Sequence, residues 1–150
     1  THTGSLTHAE DLTRNAPLIN IPPTDFRTAI HWENQFEKGW SLNLSVGVRS
    51  ELKKHYAPRV ISPVELAALS TQEISEERSK GTFDLAPTPG QYHLLDTEIS
   101  ARIPWAAKEL LITLRGENLL NRAYRNYLNR FRYYADDTGI NIQCLITLKF

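Results

Sequence analysis

Near the end of the chain the stretch "RNYLNRFRYYADDTG" brings Arg130, Arg132, Tyr133, Tyr134, Asp136 and Asp137 close together. Guanidinium groups hold anionic oxygens through paired N–H donors, and tyrosine rings stack on flat or cationic groups. If the protein contacts a small ligand, these six residues are the candidates, with arginine for an anionic part and tyrosine for an aromatic one. The same residues suit an interfacial girdle equally well, with rings at the boundary and charges among polar headgroups.

Other chemistry finds little support. The five histidines, His2, His8, His31, His55 and His93, show no metal-ligand spacing, and no nucleophile has a plausible base beside it. No catalysis, cofactor or metal is expected. A formal net charge of zero argues against a nucleic-acid partner, whose phosphates favour a basic surface. The single cysteine, Cys144, permits no internal disulfide. The chain contains no Met and no visible signal peptide, which suggests a mature product or a piece of something longer.

The elements that must position these residues are strands. "FRTAIHWENQF" puts Phe26, Thr28, Ile30, Trp32 and Phe36 on one face and Arg27, His31, Glu33 and Gln35 on the other. After the turn Glu37 to Gly39, "WSLNLSVGVRSELK" sets Trp40, Leu42, Leu44, Val46, Val48 and Leu52 against Ser41, Asn43, Ser45, Arg49, Glu51 and Lys53. "HLLDTEISARI" alternates in the same way. Past a turn at Pro104 to Lys108, "ELLITLRGEN" follows, and its phase is lost around Asn118 to Tyr124, as at a bulge or strand end. The last strand, "INIQCLITLKF", places Ile140, Ile142, Cys144, Ile146, Leu148 and Phe150 on one face.

Short turns therefore lie at one end of the sheet, and three long segments, Thr1 to Asp25, His55 to Gln91 and about Asn126 to Gly139, lie at the other. The patterns "SPVE" at Ser62 to Glu65 and "STQE" at Ser70 to Glu73 predict one or two short helices in the middle segment.

With 150 residues, 41% of them hydrophobic, and mean hydropathy −0.40, the chain looks ordinary, and no run approaches the ~18 to 20 apolar residues of a spanning helix. A spanning strand needs only about 9 to 11 residues with alternate ones polar, so average hydropathy does not exclude it. Trp32, Trp40, Trp105, Phe36 and Phe150 sit near the short-turn end, whereas all six tyrosines sit at or beyond the long-segment end. Aromatic rings at both ends of an apolar band match a bilayer's two interfaces. Arg27, Glu33, Arg49, Glu51, Asp96, Glu98, Arg102, Arg115 and Glu117 are too many charges for a sandwich core but suit a wet barrel lumen.

The stretch "GENLLNRAYRNYLNRFRYYADDTGINIQCLITLKF" resembles the C-terminal end of a TonB-dependent outer-membrane receptor: an N-L-x-N-x-x-Y element, a last loop, and a final strand closing on Phe. "APLINIPPTDFRTAIHW" is similar to the P-L-x-x-x-P-P stretch leading into a late strand, and "TPGQYHLLDTEISARI" to the P-G-Y-x-x-x-D stretch opening the antepenultimate one. The resemblance runs from about Asn15 to the end. It departs at Ile140, where many relatives carry Arg after the Gly.

The resemblance implies an all-β fold, an antiparallel up-and-down transmembrane β-barrel segment of about five strands out of about 22, with long extracellular loops, one containing short helices. All of 1–150 would be barrel, with the plug domain and earlier strands elsewhere. It implies location in the outer membrane of a Gram-negative bacterium and active import of a scarce nutrient: ferric siderophore, haem, cobalamin or another metal chelate. Implied partners are the remaining strands and plug, outer-membrane lipid, TonB through the N-terminal part, and the barrel assembly machinery, read by a terminal signal of Ile146, Leu148 and Phe150. Trp32, Trp40, Trp105 and Phe36 would be membrane-interface aromatics. A passive porin or structural barrel, and a soluble β domain binding a partner through its long loops, are the rival readings.

Overall fold

A computed structural model describes residues 1–81, 83–105 and 108–149, with the backbone alone at Arg78 and Lys80. Strand accounts for 47% and helix for 15%, so the chain is mostly β. Its elements in chain order are β1 (His2–Ser5), β2 (Glu10–Asp11), β3 (Ala16–Pro17), β4 (Asp25–Gln35), β5 (Ser41–Glu51), β6 (Arg59–Val60), α1 (Pro63–Ala68), α2 (Thr71–Lys80), β7 (Phe83–Asp84), β8 (Tyr92–Trp105), β9 (Lys108–Glu117) and β10 (Asn141–Lys149).

Six of the strands form one antiparallel sheet in the order β1-β4-β5-β8-β9-β10. Each strand pairs with the sheet strand next to it in the chain, so the topology is a plain meander. The sheet is open: β1 and β10 are its two edges, and no pairing joins them among the described residues. Six strands, rather than about five, correct the sequence reading. Residues His2–Ser5, expected in a long connection, pair with Asp25 to Thr28. "HTGS" is short and lacks alternation, so nothing in it marks a strand.

The register makes the two faces explicit. Ile30 faces Val46, Val46 faces Thr97, Thr97 faces Gly116 and Gly116 faces Ile142, a single row across five strands. The next row on that face is Trp32, Leu44, Ile99, Leu114 and Cys144. Because side chains alternate, the intervening row belongs to the opposite face: His31, Ser45, Glu98, Arg115 and Gln143. Arg115 approaches Glu98 at 3.7 Å and Glu117 at 3.6 Å, while Glu109 meets Arg102 at 3.6 Å and Lys149 at 3.2 Å. Three of these contacts join neighbouring strands and support the register, while Arg115–Glu117 lies within β9.

One end of the sheet is tight. Lys38 (φ 70°) and Gly39 (φ 80°) carry the left-handed turn between β4 and β5, and pairing of β8 with β9 continues to Trp105 opposite Lys108. At the other end lie the long connections, which carry α1 and α2, two helices where one or two were expected. Among the described residues the buried apolar side chains include Ile61, Tyr92, Leu94 and Tyr127. They cluster at this end. Tyr92 and Leu94 have the parity of Asp96 and Glu98, so the long connections fold inward over the end of the polar face. The apolar face is the reverse case: Phe26, Ile30, Trp32, Val46, Val48, Ile99, Ile103, Leu114, Ile142 and Ile146 are all exposed.

Candidate functional site

The polar face is concave, with a cavity of about 500 Å³ lined by residues including Arg27, His31, Arg49, Asp96, Glu98 and Arg115. Beyond it on the same face, buried Tyr92 and Leu94 lie under the long connections, where Asn126 Nδ2 donates to the Tyr92 hydroxyl at 3.4 Å. Between β6 and β7 the chain makes a helical excursion whose entry is capped as the sequence predicts. The Ser62 hydroxyl accepts the Glu65 N–H at 3.2 Å, and the Ser70 N–H donates to Glu73 Oε2 at 2.8 Å while Ser70 Oγ accepts the Glu73 N–H at 3.3 Å. The short parallel pair β6–β7 closes the excursion and delivers Asp84 to the interior.

Arg132 meets it there. Its Nη2 donates to Asp84 Oδ2 at 2.5 Å and to the Tyr133 hydroxyl at 2.9 Å, and that hydroxyl donates to Asp84 Oδ1 at 2.7 Å. Arg132 and Asp84 are each only 3% exposed. The guanidinium also lies over the rings of Tyr127 (4.6 Å) and Tyr133 (4.4 Å), and Lys54 Nζ lies 5.0 Å from the Tyr127 ring while donating to the Ile21 carbonyl at 2.6 Å. A buried charge is tolerated when it is paired and hydrogen-bonded, and here both conditions hold. Burial raises the Asp84 carboxyl, but hydrogen bonds from Tyr133 and Arg132 and the Arg132 charge outweigh it, so the group stays below the usual carboxylate range. Burial and the hydrogen bond to Asp84 push the Tyr133 phenol up to about 12.

The last connection is held at both ends by asparagine. Asn118 (φ 50°) is buried; its Nδ2 donates to the carbonyls of Arg122 (2.9 Å) and Thr138 (3.3 Å), and its Oδ1 accepts the Arg122 N–H (2.8 Å). Asn121 Oδ1 accepts the Ile140 N–H at 3.1 Å. The N-L-x-N-x-x-Y element is therefore a fastening, and Tyr124 completes it by packing on Tyr92 at 4.5 Å.

The six candidate ligand contacts separate into two groups. Arg132 and Tyr133 are taken up by Asp84. Asp137 accepts from the Asn126 N–H and from Asn129 Nδ2, each at 2.6 Å, and Asp136 accepts from Arg125 Nε at 2.6 Å, so both acids brace the loop. Arg130 and Tyr134 are exposed, Tyr134 at 85%, and Phe131 stands exposed beside them. Asp84, Tyr127, Lys54 and Phe131 are additions to the sequence reading. Asp84 carries no local motif, because its partner is 48 residues away.

Phe36 and Trp40 stack at 3.8 Å at the short-turn end, on the parity of Trp32, and Trp32 and Trp105 are exposed on the same apolar face. Ile146 is exposed and Leu148 half-buried, and Phe150 lies outside the described residues. Among the described residues no group of three or more His, Cys, Asp or Glu side chains is placed to hold a metal, and no helix is long and apolar enough to cross a membrane. Compared with known proteins, the chain matches no family model, no curated protein and no solved structure.

Proposed function

We propose that this chain forms the closing strands of a TonB-dependent receptor in the outer membrane of a Gram-negative bacterium, which imports a ferric siderophore, haem, cobalamin or another metal chelate. One observation carries the reading: five consecutive strands share an exposed apolar face, while their charges face a concave interior. In water such a face is a liability, since exposed apolar patches beyond a few hundred Å² mark an interaction surface. Against lipid it is the stable arrangement, and the polar side lines an aqueous lumen.

The two open edges support the same reading, because an unpaired edge cannot face hydrocarbon and must continue into further strands. Those strands and the plug would come from the rest of the receptor, and energy would come from TonB through the N-terminal part. The fold would be inserted by the barrel assembly machinery. The protein's role in this reading is transport, with no catalytic step.

Uptake tests it. The full-length protein carrying this segment is expressed in a Gram-negative host, and accumulation of ferric siderophores, haem and cobalamin is followed with and without TonB. Accumulation of one of them that collapses without TonB is expected. Passage that persists without TonB supports a passive pore, and native β-structure that is monodisperse in plain buffer overturns the membrane reading.

A further inference from the structure

We infer that the Asp84–Arg132 pair is a latch that makes the middle and last long connections a single lid over one end of the concave face. The inference stands on the geometry of the connections and does not require that the protein be an importer.

Four observations carry it. The pair is buried on both sides and joins β7, at the end of the helical excursion, to the turn Arg130–Tyr133 of the last connection. The Tyr133 hydroxyl bridges both partners, so the contact has three members and a defined orientation. The ring of Tyr127, 1% exposed, is contacted by both cations, Arg132 and Lys54, and Lys54 in turn donates to the Ile21 carbonyl; the first connection is therefore drawn into the same cluster. Beneath it lie Tyr92 and Leu94, on the parity of the concave face, with Asn126 Nδ2 donating to the Tyr92 hydroxyl at 3.4 Å. The remaining ion pair within the last connection, Arg125–Asp136, is exposed and ties that connection only to itself.

The latch is the buried ion pair between the two connections, and the Lys54 contact with the Tyr127 ring lies beside it. Removing one member of a buried pair leaves an uncompensated charge, which favours opening. Local opening of this kind exposes the amides of a whole cooperative unit rather than those of one residue.

Amide hydrogen exchange on the full-length protein in detergent micelles tests the coupling. Asp84→Asn and Arg132→Gln should each raise exchange tenfold or more in both connections: at Ile61, whose N–H donates to the Asp84 carbonyl, and at Tyr134 and Ala135, whose N–H groups donate to Phe131. Amides of β5 and β8 should not change. Asp136→Asn, which breaks the exposed pair with Arg125 and touches neither latch residue, should act on the last connection alone. If either latch variant fails to fold, Tyr133→Phe, which removes only the bridging hydroxyl, should give a smaller rise in the same two connections. An effect confined to the substituted connection overturns the latch.

Access to the concave face gives a second readout. In a Cys144→Ala background, a thiol introduced by Ser45→Cys, which lines the cavity, should react several-fold faster with a small water-soluble maleimide once Asp84→Asn is added. An unchanged rate means that the connections do not cover the cavity, and the lid is then refuted.

Discussion

The carboxylate of Asp96 accepts the backbone N–H of Asn118 at 3.0 Å, just past the point where β8 and β9 cease to pair. A side chain thus carries the ladder on to the Leu119 N–H, which donates to the Leu95 carbonyl at 2.9 Å, and the backbone at Asn118 lies in the left-handed region that asparagine tolerates better than most residues. From that step the last long connection departs, and Asn118 fastens both of its ends.

Asn118→Ala removes the acceptor of the Arg122 N–H and the donor to two carbonyls, and it places an alanine at positive φ. Leaving a buried polar group unpaired costs about 1–3 kcal/mol. Urea unfolding in micelles should show a loss of that order, with loosening of residues 122–138. Leu120→Ala, at a largely exposed side chain in the same turn, should stay close to the parent.

Asp84→Asn should be more costly. Breaking a buried ion pair by removing one charge typically costs about 3–5 kcal/mol. The loss belongs to the connections, so limited proteolysis should cut within 59–86 and 126–137 while the strand fragments persist. Glu65→Gln, which breaks an exposed ion pair with Arg59, should leave the cleavage pattern unchanged.

The same cluster sets a pH window. Asp84 has a folded pKa below its unfolded value, so its contribution is present above the ordinary carboxylate range and is lost as pH falls through the lower, folded value. Tyr133 has a raised pKa, so its contribution is complete below the ordinary phenol range and is lost as pH rises through about 12. Protection of the two connections should therefore be flat from mildly acidic to mildly alkaline pH and fall only at the extremes. A step near pH 6 to 7 would assign the control to a histidine instead.

On the exposed face, Val46→Arg would place a charge in the row of Ile30, Thr97 and Ile142. If that row lies near the bilayer midplane, the cost is about 2–4 kcal/mol. The neighbouring Ser45→Arg points into the concave side and should cost far less. Folding into phosphatidylcholine vesicles, followed by urea titration, separates the two, and equal effects would count against a lipid-facing sheet.

Much of the sheet was legible because a period of two survives any tertiary context: once Ile30, Val46, Ile99, Leu114 and Ile142 are seen to alternate with charges, the faces follow. The helical excursion was legible from the two serine caps. Residues 2–5 were not, since four residues without alternation become a strand only because β4 offers an edge. The buried pair was not legible either, because an aspartate and an arginine 48 positions apart carry no sign of each other. One hint was present in Leu94, an apolar residue in a charged row, which marks where the connections cover the sheet. For the ligand-contact candidates, residue type suggested all six alike, whereas their partners distinguish exposed Arg130 and Tyr134 from internally engaged Arg132, Tyr133, Asp136 and Asp137.

The meander also carries a kinetic consequence. The six strands of the sheet pair in the order in which they occur along the chain, but the joins differ in length: a few residues between β4 and β5 and between β8 and β9, and about forty between β5 and β8. Closing the longer join costs about 2 kcal/mol more in chain entropy. The two tight hairpins should therefore assemble first and independently, with their docking as the later event. By condensing the long join into two capped helices fastened at Asp84, the protein shortens the free chain that must be closed, and the outer connection becomes a means of bringing two halves of the sheet together.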